Sequence, residues 1–237
     1  MNSTTIKCLL AAVPLAIFIS ACAGVPDAYP PSANPFLAGA NPLQNTTIAQ
    51  PAQFSLVWLA PAGSAVPSQE AQRKMAEKIK SQFTAGKRLE IIGTAILPVS
   101  QGDLLSDIRK ASAPMNAPQV LVVMPAEVEV VSPVWLYFGR SGNATGNRTD
   151  SYFTVALVGL DLASGTSLFS VVSKGEARLL ATDYEDARPF YPSISPGPSS
   201  AFIYPDAATF PPGVVQAVAL EQAVNDLIYQ LDRALGS

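Results

Sequence analysis

The end of this chain asks for a large apolar partner. In "GVVQAVALEQAVNDLIYQLDRAL" (213–235), Val214, Val218, Val224, Leu227, Ile228, Leu231 and Leu235 form one apolar stripe at helical spacing. A helix of that length runs to roughly 35 Å. Its stripe must be buried along its whole length, and the strand-rich sequence before it offers the surface.

That sequence changes character midway. "FSLVWLAP" (54–61) reads as a strand stopped by Pro61. "SQEAQRKMAEKIKSQFTAG" (68–86) reads as a helix: Ser68 is placed to cap it, Ala71, Met75, Ile79 and Phe83 recur on one face, and Gly86 stops it. "RLEIIGTAILP" (88–98) is a second strand, "SQGDLLSDIRKA" (100–111) a short helix capped by Ser100, and "QVLVVM" (119–124) a buried strand. Strand-like runs then follow one another: 127–131, 134–138, 152–162 and, past the turn Ala163–Thr166, a hairpin partner. The segment "GRSGNATGNRTD" (139–150) reads as a loop. The order predicts one α/β (α+β) sandwich: a mixed sheet with helices on one face and a long C-terminal helix.

Composition removes many chemistries. The 237 residues contain no histidine, so a Ser-His-Asp triad and an imidazole zinc site are excluded. The formal net charge is -3, of the wrong sign for a nucleic-acid binder. No metal ligand set, Walker-type loop or nucleophile elbow is legible, so no metal and no bound cofactor is expected.

Both cysteines, Cys8 and Cys22, lie in or beside the first apolar run, "CLLAAVPLAIFIS" (8–20). That run has signal-peptide length and is too short to span a bilayer. It closes on Ile19-Ser20-Ala21-Cys22, which resembles the lipobox of bacterial lipoproteins. The resemblance implies a signal peptide over 1–21, cleavage after Ala21, and diacylglycerol plus an N-acyl chain on Cys22. Several chains together anchor a protein stably where one does not. Ala23 and Gly24, rather than aspartate, follow the cysteine, which in such proteins favours the outer membrane and its periplasmic face. The mature chain would then have no free thiol.

Residues 22–52 are rich in proline, alanine and asparagine and read as a tether, or as an arm packed over the domain that fills 53–237. A second proline-rich stretch, 183–213, is a long excursion. Its aromatic residues Phe190, Tyr191, Phe202, Tyr204 and Phe210 are candidates for a binding surface, or for pins that hold the stretch down. Glu127 and Glu129, two apart on a strand, face one side and read as a solvated strand face or as paired carboxylates. Asp183, Glu185 and Asp186 open the excursion as a polar entrance. Arg140 and Arg148 lie in the 139–150 loop, away from any helix N-terminus.

The hairpin "LVGLDLASGTSLFSVV", with Asp161, Ser164, Gly165, Leu168 and Phe169, and the long final helix resemble the rhombotarget lipoproteins. They also resemble the periplasmic α/β modules of the TolB amino-terminal and curli-secretion-lipoprotein type. These resemblances imply no catalytic residue. The expectation is a non-enzymatic envelope module, held to the membrane by its lipid, that binds a protein partner or scaffolds an assembly. The alternative is an envelope hydrolase with carboxylate or Ser/Lys chemistry on glycan or peptide, in which Glu127, Glu129 and Lys174 would share a cleft.

Overall fold

The computed structural model describes residues 42–43, 52–60, 67–83, 89–98, 103–137, 143–182, 200–203 and 213–236. Their order is β1 (Ala52–Ala60), α1 (Gln69–Gln82), β2 (Leu89–Pro98), α2 (Leu104–Ser112), a 3-10 turn (Ala113–Met115), β3 (Gln119–Tyr137), β4 (Asn143–Asp161), β5 (Ser167–Thr182), β6 (Ser200–Ile203) and α3 (Val214–Gly236). The strands form one sheet in the order β2-β1-β3-β4-β5-β6. β1 is parallel to β2 and β3, β4 is antiparallel to β3 and β5, and β6 is parallel to β5. The mixed-sheet α/β class expected from sequence is the observed one.

The helices pack on both faces of the sheet rather than on one. Met75 and Ile79 of α1 and Ala219, Ala223, Leu227 and Leu231 of α3 share a core with Phe54, Leu56, Trp58, Leu121, Phe153 and Leu157. Ile108 of α2 packs on the other side, with Val57, Leu59, Val120, Val122 and Val158. Topology explains the split. β2 and β3 flank β1 on opposite sides, so two right-handed crossovers leave in opposite directions and place their helices on opposite faces. Among the described residues, no helix is long and apolar enough to cross a membrane.

Local signals set several boundaries. Ser68 caps α1, its hydroxyl accepting from the Ala71 N–H at 3.2 Å. α2 starts later than expected because Asp103, not Ser100, is its cap and accepts from the Ser106 N–H at 3.3 Å. Ser100 and Gly86 lie outside the described residues. The β4–β5 turn is closed by Asp161, whose carboxylate accepts from the Ser164 N–H at 2.7 Å and hydroxyl at 2.8 Å, with Gly165 at φ 73°. Those two bonds hold the Asp161 carboxyl below its usual range.

Three expected short runs are one strand. β3 continues through Pro125 and Pro133 to Tyr137, paired throughout with β4. Its register with β1 ends at Val123, so among the described residues both prolines sit where β3 has a single neighbour, and the missing N–H breaks no described ladder on the other side. The expected 139–150 loop is strand from Asn143 onward. Cross-strand pairing supplies what its polar composition withholds. The expected excursion 183–213 contains the short strand β6, beside Glu176–Leu179 of β5.

The expected tether is also partly in the body of the domain. Leu43 is 5% exposed and belongs to the α1–α3 core, and Pro42 bridges Ser170 of β5.

Candidate functional site

Side chains alternate across a strand, so the unbroken β3–β4 register sorts the polar residues of this region onto two faces. Glu127 and Glu129 share the face of Leu121 and Val123, the one under α3. The Ser151 hydroxyl donates to Glu127 at 3.0 Å, and Gln216 in the first turn of α3 donates to Glu129. The two carboxylates are therefore neighbours beneath the start of α3, as their spacing of two predicts. Burial at the core edge lifts Glu127 from 4.5 to about 7. The Ser151 hydrogen bond opposes this and the Glu129 charge adds to it.

The direction of that shift fixes a pH dependence. Below 4.5 the carboxyl is neutral in both states and costs nothing. Between 4.5 and 7 the unfolded chain ionises first, so the folded state binds more protons and stability falls as pH rises; above 7 the penalty is complete. A shift of this size in a fully buried group is worth roughly 3 kcal/mol, and the partial exposure of Glu127 cuts that to about 1.5 kcal/mol. Urea unfolding should find Glu127→Gln more stable than the parent by about that amount at pH 8 and equal to it near pH 4.5. A difference that does not change with pH would refute the assignment.

The opposite face carries a second cluster. Arg148, Asp150 and Tyr152 project from β4, and Arg178 stands directly across from Asp150 on β5. Asp150 is 2% exposed. Its Oδ1 accepts from Nε of Arg178 at 2.6 Å, and its Oδ2 lies 2.9 Å from Nε of Arg148. The Tyr152 hydroxyl is 3.4 Å from the same Oδ2. The hydrogen bond to Asp150 raises Arg178 further above its ordinary value. Burial first and the Asp150 charge second push the Tyr152 phenol up, so it stays a neutral hydroxyl. Lys174 and Glu176 continue this face along β5, opposite Thr154 and Tyr152.

The sheet thus separates residues that a hydrolytic cleft would need together. Glu127 and Glu129 lie on the α3 side, Lys174 on the other. Among the described residues, no group of three or more acidic or thiol side chains is placed to hold a metal ion. Cys22, Phe190, Tyr191, Tyr204, Phe210, Arg140, Asp183, Glu185 and Asp186 lie outside the described residues, and Phe202 is described only as a backbone position of β6, paired with Arg178. Asp150, Tyr152 and Arg178 were not singled out from sequence. Their signal was the spacing of two in "RTDSY" and in "KGEAR", hidden by reading the first stretch as a loop.

No family model and no curated protein matches this chain. Among solved structures, a neuraminyllactose-binding hemagglutinin homolog from Helicobacter pylori is similar at 10% identity and a TM-score of 0.35, over 81% of this chain and 92% of that one. A PelC dodecamer subunit from Paraburkholderia phytofirmans is similar at 14% identity and a TM-score of 0.27, over 57% and 79%. The hypothetical protein CT253 from Chlamydia trachomatis follows at 8% identity and a TM-score of 0.25, over 53% and 73%. At such scores these likenesses assign no role to this chain.

Proposed function

We propose that this protein is a lipoprotein of the outer membrane, acylated on Cys22 and facing the periplasm, whose α/β domain binds or scaffolds other envelope components without catalysing a reaction. The observation that supports binding over hydrolysis is the division of the polar residues: Lys174 and the Glu127–Glu129 pair occupy opposite faces of one sheet. The hydrolase alternative has Glu127 in its favour, since a carboxyl raised to about 7 suits a general acid. The hydroxyl that donates to Glu127 belongs to Ser151, however, which is fully buried and so presents no nucleophile to a substrate.

The lipobox Ile19-Ser20-Ala21-Cys22 supports the anchor. Cys22→Ala should abolish incorporation of labelled fatty acid and move the protein out of the membrane fraction, because acyl chains provide nearly all the membrane affinity. Unchanged labelling and sedimentation would sink the anchor. In-cell crosslinking with mass spectrometry tests the binding reading: the expected result is a discrete envelope partner whose crosslinks map to the domain.

A further inference from the structure

The Arg148–Asp150–Arg178 cluster lies on a part of the sheet that no described helix covers: α2 packs over β1 and β2, and α3 lies over β4 and β5 on the other face. Within it the two arginines are held differently. Arg178 makes an aligned hydrogen bond to Asp150. Arg148 is attracted to the same carboxylate at 2.9 Å, but its buried Nε has no hydrogen-bond partner there, and its side chain is 38% exposed. Asp150 therefore holds Arg148 at its buried Nε, and the donors left to face a ligand are the two terminal amino groups. A guanidinium held in one place, half out of water and with unspent donors, is matched by a planar anion with two acceptor oxygens.

We propose that Arg148, positioned by Asp150 and flanked by Tyr152, is a binding site for a single carboxylate group of a ligand. One negative charge is the favoured number. Asp150 and Glu176 stand on the same face and repel a phosphate dianion more strongly than a monoanion. The Tyr152 hydroxyl donates to Asp150 Oδ2, the same oxygen that Arg148 approaches, and so adds a neutral polar group next to that carboxylate. This site rests on the reading of the domain as a binding module and is independent of the lipid on Cys22, so loss of acylation and loss of binding are separate measurements.

The test is a titration of the full chain, labelled in its arginine side chains, followed by NMR. The probes are N-acetylglycine for a peptide carboxylate, glucuronate for a sugar carboxylate, inorganic phosphate, and neutral N-acetylglycinamide. A saturable shift of the Arg148 Nε–H signal with one or both acids, absent with the amide, supports the site, and the acid that binds more tightly identifies the source. Arg148→Gln should weaken that binding about tenfold, and Arg148→Lys, which keeps the charge but loses the fork, about threefold. The lysine variant serves if the glutamine variant does not fold. Equal shifts with the amide, tighter binding of phosphate, no shift with either acid, or unchanged affinity in both variants would overturn the proposal.

Discussion

Gly175→Ala should be the most damaging single-methyl change in this domain, lowering stability by about 3 kcal/mol. Gly175 lies where α3 crosses β5. A Cβ there would collide with the Ala219 carbonyl and the Ala223 amide, and would stand 2.9 Å from the Ala223 Cα. All three are backbone atoms of one helix, so no side chain can swing aside; α3 must lift. The alanines at 219 and 223 already bring the helix as close as side chains allow, and both are fully buried. Lifting α3 loosens Leu220, Leu227 and Leu231 from the same core. Urea unfolding with a far-ultraviolet probe reads the loss directly. A change below about 1 kcal/mol would mean that α3 can ride higher without cost.

The second large effect is expected on the other face. Asp150→Ala should cost about 2–3 kcal/mol by the same measurement, because it leaves two half-buried guanidiniums side by side with their shared anion gone. The loss stays below that of a fully buried pair because the arginine side chains are 38% and 34% exposed and water screens them. High salt should narrow the gap between Asp150→Ala and the parent by screening the repulsion between Arg148 and Arg178. If salt leaves the gap unchanged, the role of Asp150 is packing rather than charge.

The regular elements were legible where one strong local signal governed them. Ser68, the four-residue repeat of α1, the Asp161–Gly165 turn and the stripe of α3 each act within a few residues, and each element formed as read. The helix faces were not legible, because they follow from which side of β1 the next strand joins, a relation between elements rather than within one. The continuity of β3 was masked by Pro125 and Pro133, which break a strand only where both edges are paired. The same limitation hid the arginine cluster. Arg148 and Arg178 are thirty residues apart and meet only through the β4–β5 register, so their shared carboxylate could be found only once Asp150 was placed on a strand. Glu127 and Glu129 needed only the strand period and were found together, but the burial that perturbs Glu127 depends on where α3 starts.

Pro42 and Leu43 bear on the order of folding. The outer edge of β5 is served by two pieces of chain far from each other: Pro42 meets it at Ser170, and β6 meets it at Glu176–Leu179. The first contact closes a loop of about 130 residues, among the longest in the domain. Such closures carry a large entropic cost before any contact offsets it, and they slow folding. Leu43 precedes every strand of the sheet in the chain, yet Pro42 beside it can bridge to Ser170 only once β5 is in place. The docking of Pro42 and Leu43 is therefore a late event in folding.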